Sequence, residues 1–309
     1  MPPFLQPTRT FMLSVIHTTA YDYSSPVTLH DHRMMIRPRD SHDLRLLSAE
    51  LSTRPAPRQL RWYHDVFGNS VLVASFDGQT SQLQITSRLL LETYAPVVEA
   101  PQIAAYARAY PFSYTPEDQR DLGSLGDRQY ADPDSRMADW VRDAYASIVS
   151  AGSGRIDTLD LLRGLNTLIG KTIVYQPRDI EGTQTPTETL ALGSGSCRDF
   201  ALLFMEAARQ LGLAARFVTG YLVDSLTLDA GGMAPRGGGA THAWAQVFVP
   251  GLGWVEFDPT NEIVGSNQLI RVAVTRDPSQ AVPIAGSYTG PAGALAAMRV
   301  DVSVSVAAG

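Results

Sequence analysis

From Leu13 to about Glu92 apolar and polar residues alternate with a period of two, the pattern of half-buried strands. Leu13–Tyr23 is the longest run, and Ser25-Pro26 is expected to end it. Further runs follow at His30–Ile36, Leu44–Ser52, Leu60–His64, Ser70–Phe76 and Leu83–Glu92. Turn residues such as Gly68-Asn69 and Asp77-Gly78 separate them. Short strands at this spacing predict a β-sandwich-like domain over residues 1–98. The prolines at Pro96 and Pro101 mark the exit from it.

Beyond residue 99 the period lengthens to that of a helix. Met137, Trp140, Val141, Ala144, Tyr145 and Ile148 form one apolar stripe, with Asp134 or Ser135 as its cap. Leu159, Leu162, Leu165, Leu168 and Ile169 form a second, capped by Asp157. A third helix is expected over Cys197–Leu211, closed by Gly212. Strands follow near Ala215–Val223, Thr241–Val249 and Trp254–Asp258, the last two joined by a hairpin at Pro250–Gly253. The pattern therefore predicts an α+β core over 99–275. The Gly-rich stretch Asp229–Ala240 is expected to be mobile. A tail over 276–309 ends in a strand at Met298–Val306, expected on a sheet edge.

Charge and composition remove several function classes. The 25 basic and 31 acidic residues give a net charge of -6 without a basic block, which argues against nucleic acid as a partner. No apolar run approaches the ~20 residues of a membrane span. The N-terminus lacks the apolar core and small-residue cleavage site of a signal peptide, and the single cysteine forms no internal disulfide, so a cytoplasmic location is the expectation. His30 and His32 alternate, but without further ligands they predict a solvated surface rather than a metal site.

That cysteine lies in Gly193-Ser-Gly-Ser-Cys197-Arg-Asp-Phe, where the third helix begins. Unpaired backbone N–H groups and the positive end of the helix dipole there favour a thiolate, the nucleophilic form. The Cys197 N–H also faces the place where an oxyanion would form. Gly195 lets a substrate backbone approach closely. In the hairpin His242, Trp244 and Gln246 share one strand face, as do Trp254, Glu256 and Asp258 in the next strand. With its midpoint near Pro250, His242 and Asp258 fall at one end, within hydrogen-bond reach. A nucleophile, a base and a carboxylate that orients the base make a catalytic triad. Ser194 and Ser196 read as helix caps. Trp244 is expected either to wall the substrate cleft or to pack in the core.

At these stretches the sequence closely resembles the bacterial transglutaminase-like superfamily, a branch of papain-like cysteine enzymes. The matching motifs are Gly195-Ser-Cys197-Arg198-Asp199-Phe200, His242-Ala243-Trp244 and Gly253-Trp254-Val-Glu-Phe257-Asp258-Pro259-Thr260-Asn261. His17-Thr-Thr-Ala-Tyr21-Asp-Tyr23 and Ile36-Arg-Pro38-Arg39 resemble the β-rich domain that often precedes this core in bacteria. The resemblance implies a papain-like α+β core, a Cys197–His242–Asp258 triad, no metal and no organic cofactor. The expected activity is hydrolysis of an amide bond in a peptide or protein through a Cys197 thioester. The alternatives are transfer to an amine, as in a transglutaminase, and a non-catalytic peptide-binding module. A third alternative treats the β-rich domain as a partner-docking unit that delivers substrates to the core, with the expectation that deleting residues 1–95 spares turnover of a small substrate. The second oxyanion donor is left open between Gln184 and Tyr175, and the pattern assigns no oligomeric state.

Overall fold

A computed structural model of the chain describes residues 10–94, 98–149, 155–178, 182–223, 236 and 239–307. The stretch 229–240, expected to be mobile, lies outside the described residues apart from 236, 239 and 240.

The first half is built from β1 (Thr10–Leu29), β2 (His32–Arg37), β3 (Leu44–Arg54), β4 (Gln59–His64), β5 (Ser70–Ser75) and β6 (Gln79–Tyr94). β1 does not stop at Ser25-Pro26. Its pairing with β6 slips between Asp22 and Val27 instead, and a proline is tolerated at such an irregularity because no ladder bond is asked of it.

The second half contains a short ladder of β7 (Ala109–Tyr110) with β8 (Ile156–Asp157), the helices α1 (Pro116–Leu122), α2 (Arg136–Val149) and α3 (Thr158–Thr172), and a second short ladder of β9 (Val174–Tyr175) with β10 (Ser194–Gly195). α4 (Pro186–Leu192) and α5 (Cys197–Gln210) flank β10. β11 (Ala215–Leu222), β12 (His242–Val249), β13 (Gly253–Asp258), β14 (Ile263–Val264) and β15 (Leu269–Thr275) complete the core. The cap of α3 is Asp157, as the pattern predicts, accepting from Leu159 N–H at 2.9 Å. The cap of α2 is Asp132 rather than Asp134 or Ser135, because its two carboxylate oxygens reach the Met137 and Ala138 N–H groups at 3.1 and 3.0 Å.

Three C-terminal strands remain: β16 (Ile284–Ala285), β17 (Tyr288–Thr289) and β18 (Leu295–Val306). They return to the first half. One sheet runs β17-β1-β6-β3 with β18 also beside β1, and another runs β16-β2-β5-β4. The β1–β18 ladder extends from Leu13 opposite Val306 to Tyr23 opposite Leu295. The segment after residue 276 is therefore woven into both N-terminal sheets, at one edge of each. Tyr23, Val27, Met34, Leu72, Leu83 and Ile85 fill the space between the two sheets, the packing expected of a sandwich.

The core sheet has the order β14-β13-β12-β11-β15. Ala243, Ala245, Val247 and Phe257 pack its inner face onto Phe200, Leu203 and Phe204 of α5. Small residues on β12 let the helix come close, which fixes where the helix N-terminus ends up. The two halves are joined firmly. Leu13, Val15, Leu89 and Leu91 bury themselves against Tyr221, Ile270 and Val272. β15 is the edge of the core sheet, and the Asn69 side chain closes it, donating to the Val274 carbonyl at 2.7 Å and accepting its N–H at 2.9 Å. Arg271 bridges Glu256 in the core and Asp43 in the first half, at 2.9 and 3.1 Å.

Candidate active site

Each of the three residues singled out above owes its place to a different element. Gly193 ends α4 in the left-handed conformation with φ 62, which turns the chain back into β10. Gly195 then pairs with Tyr175. A Cβ on Gly195 would lie 2.8 Å from Asp199 Cβ, so the small residue serves the packing of Asp199. That is a reason other than the expected approach of a substrate. Ser196 caps α5: its N–H donates to Asp199 Oδ2 at 2.7 Å and its hydroxyl at 2.8 Å. The other oxygen of Asp199 accepts from Gln184 N–H at 2.7 Å and Arg178 at 2.9 Å. Arg178, rather than Arg198 or Arg216, is thus the partner of Asp199. Arg198 turns to the Pro278 carbonyl, 2.7 Å away, and lies 4.9 Å over the Phe217 ring. Cys197 comes out as the first residue of the helix and partly exposed.

His242 opens β12 and Asp258 closes β13, and both are fully buried. The hairpin register differs from the expected one. Ala245 pairs with Phe257 and Val249 with Gly253, which centres the turn on Gly251 and places Trp244, not His242, opposite Asp258. The offset is an even number of residues, so His242 and Asp258 still share a face and meet diagonally. His242 Nε2 donates to Asp258 Oδ2 at 2.8 Å. Asp258 Oδ1 accepts from Thr260 N–H at 3.0 Å, and Oδ2 also from Asn261 Nδ2 at 2.9 Å.

This arrangement sets the charges. Burial works against an imidazolium, but the Asp258 carboxylate with its hydrogen bond, and then Cys197, outweigh it and raise the His242 pKa to about 10. Burial likewise penalises the Asp258 carboxylate, yet His242, Asn261 and the Thr260 N–H hold its pKa below the ordinary value. With Nε2 engaged by Asp258, Nδ1 is the nitrogen left for the sulfur. It is buried without a hydrogen bond among the described residues. The Cys197 sulfur is near enough to act on the imidazole's charge.

Trp244 is fully buried. It stacks on the His242 ring at 6.0 Å and packs among Val218, Leu222 and Leu269. It therefore backs the imidazole, and the expectation that it walls the cleft is corrected: its face is taken up by apolar neighbours. Gln184 turns its side-chain oxygen to the Thr189 hydroxyl at 3.1 Å. Tyr175 is half-buried, and burial followed by the charges of Cys197 and Asp258 pushes its pKa up to about 12, so its hydroxyl lies in the field of both. Asn261 ends the Asp258-Pro259-Thr260-Asn261 stretch and joins the site through its bond to Asp258, a role that the motif alone does not reveal. Its signal was the spacing of three residues from Asp258. His30 bonds to the Thr289 hydroxyl at 2.7 Å and His32 to the His30 carbonyl at 2.8 Å. His32 is buried against Phe76 rather than on the solvated surface expected of it.

With the geometry established, two family models match. Residues 13–92 match the bacterial transglutaminase-like N-terminal region and residues 136–259 the transglutaminase-like superfamily. An uncharacterized protein of Mycobacterium leprae is 28% identical over 90% of this chain and 93% of its own length. One from Mycobacterium bovis is 29% identical over 94% and 91%. Among solved structures, a putative cysteine protease from Cytophaga hutchinsonii shares the fold, with a TM-score of 0.66 at 18% identity over 96% of this chain and 92% of that one. The periplasmic domain of TgpA from Pseudomonas aeruginosa aligns over 82% of this chain and 88% of its own, at 15% identity and a TM-score of 0.37. The cytoplasmic location expected from the sequence is withdrawn. A lone cysteine forms no internal disulfide in any compartment, so it never distinguished one from another. Among the described residues no helix is long and apolar enough to cross a membrane. The chain belongs to the transglutaminase-like superfamily, with the bacterial transglutaminase-like N-terminal region ahead of the core.

Proposed function

We propose that this protein hydrolyses an amide bond in a peptide or protein, a peptide or isopeptide bond, through a thioester on Cys197. The observation that carries the reading is the fully buried His242–Asp258 bond of 2.8 Å at the end of the hairpin, with Cys197 acting on the same imidazole. The Cys197 sulfur attacks the carbonyl carbon as its proton passes to His242. The carbonyl oxygen takes the negative charge beside the Cys197 N–H, with Tyr175 as the candidate second donor. His242 passes its proton to the leaving nitrogen, the C–N bond breaks, and an amine departs from the thioester. Water, deprotonated by His242, then attacks the thioester; the C–S bond breaks and the acid is released.

Hydrolysis is favoured over transfer to an amine because Cys197 is partly exposed, and a thioester open to water is hydrolysed unless water is excluded. Mass spectrometry of glutamine-containing peptides incubated with the enzyme, with and without a primary amine, tests this. The expected product is the free acid in both reactions. Amine adducts as the main product would make the protein a transglutaminase.

A further inference from the structure

The turn after β13 clamps the Asp258 carboxylate in a way that its pairing with His242 does not require. Asn261 Nδ2 donates to Oδ2 at 2.9 Å, the same oxygen that receives His242 Nε2 at 2.8 Å. The two nitrogens stand 3.5 Å apart and approach one oxygen from two directions. The far side of the amide is tied down as well. Asn261 Oδ1 accepts the Arg236 N–H at 2.8 Å, and Nδ2 also reaches the Arg236 carbonyl at 3.3 Å. The Arg236 N–H fixes which way the amide faces, since its oxygen must meet a donor and its nitrogen must then meet the carboxylate.

We infer that Asn261 is a positioning residue for the triad, acting through Asp258. This rests on the triad reading proposed above. Its first effect is geometric: with Oδ2 held from one side and Oδ1 held by Thr260, the carboxylate cannot rotate, and the imidazole has one direction in which to donate. Its second effect is electrostatic. A carboxylate with fewer donors concentrates its charge on those that remain. Asn261 takes a share of that charge, so His242 binds its proton less tightly than it would opposite a bare carboxylate. An imidazole that must both receive a proton from the sulfur and release it to the leaving amine is served by that moderation.

The test measures iodoacetamide alkylation of Cys197 against pH in the full chain, in the wild type and in Asn261→Ala, Asn261→Leu and His242→Ala. Leucine nearly matches the shape of asparagine without donating, so it separates donation from packing, and thermal unfolding confirms that each variant is folded. Both Asn261 variants are expected to lower the plateau rate about tenfold and to move the high-pH limb upward by about half a unit or more. A plateau and limbs matching the wild type, or a lower plateau with unmoved limbs, would overturn the inference. A different result marks failure of the triad itself: wild-type labelling no faster than that of glutathione, and unchanged in His242→Ala.

Discussion

Burial alone would strip the proton from His242, and the residues around it reverse that outcome. The sign of the pH dependence follows. The stability gained from the raised His242 pKa is full below its ordinary value of 6.5 and is lost as pH rises through about 10. The gain from the lowered Asp258 pKa is present above the ordinary carboxylate range and is lost on acidification. Denaturant midpoints measured across pH are therefore expected to be highest on the acid side of 6.5, to fall steadily from there to about pH 10 and to fall again as the carboxylate range is entered from above. A midpoint that stays level or rises between neutrality and pH 10 would contradict this. Asp258→Asn keeps the shape but removes the charge. Turnover should drop by about 10³–10⁴-fold with the fold intact, measured as kcat on a peptide substrate. At this scale the sequence singled out Cys197, His242 and Asp258 because they stand in distinct motifs, and the structure brings His242 and Asp258 together at 2.8 Å. The sequence did not show Arg178 as the partner of Asp199 or the burial of Trp244, since both depend on neighbours distant in the chain.

The element that matters most is the start of α5. Its place was legible from the apolar stripe and the small residues before Cys197, and the observed helix begins at the residue expected. The reason for Gly195 was not legible, because the contact with Asp199 exists only once the cap has closed. Gly195→Ala should force Asp199 aside and cost about 1–3 kcal/mol, read as a lower urea midpoint, with slower alkylation of Cys197. An unchanged midpoint would show that the cap tolerates the extra carbon. The hairpin gives the complementary lesson. Its period of two put His242 and Asp258 on one face correctly, while the register was misplaced by an even step. Local pattern determines the face, and the turn residues determine the register.

Over the whole molecule the two halves share a buried apolar interface and a closed strand edge. The expectation of a detachable docking unit does not fit the burial of Leu13, Leu89 and Leu91 against Tyr221 and Ile270, nor the closure of β15 by Asn69. Deleting residues 1–95 should give an aggregating core rather than a small active enzyme, because it uncovers an apolar face and an open strand edge. A soluble, folded fragment would contradict this. Asn69→Ala should cost about 1–3 kcal/mol by leaving both polar groups of Val274 unpaired, seen as a lower unfolding temperature. The pairing of β1 with β18 was beyond reach of the sequence pattern. Alternation marks each segment as a strand, but nothing local tells the first strand that its neighbour lies at the other end of the chain.

The central claim, covalent acyl transfer through Cys197 with His242 as its base, is tested most directly by a burst experiment. The full chain is mixed with p-nitrophenyl acetate, nitrophenolate release is followed, and the quenched protein is mapped by mass spectrometry. The account expects a rapid burst of about one nitrophenolate per chain, with the acetyl group on Cys197, and loss of that burst in His242→Ala. A burst of the same size and rate in His242→Ala, or acetyl groups found elsewhere with Cys197 unmodified, would contradict it.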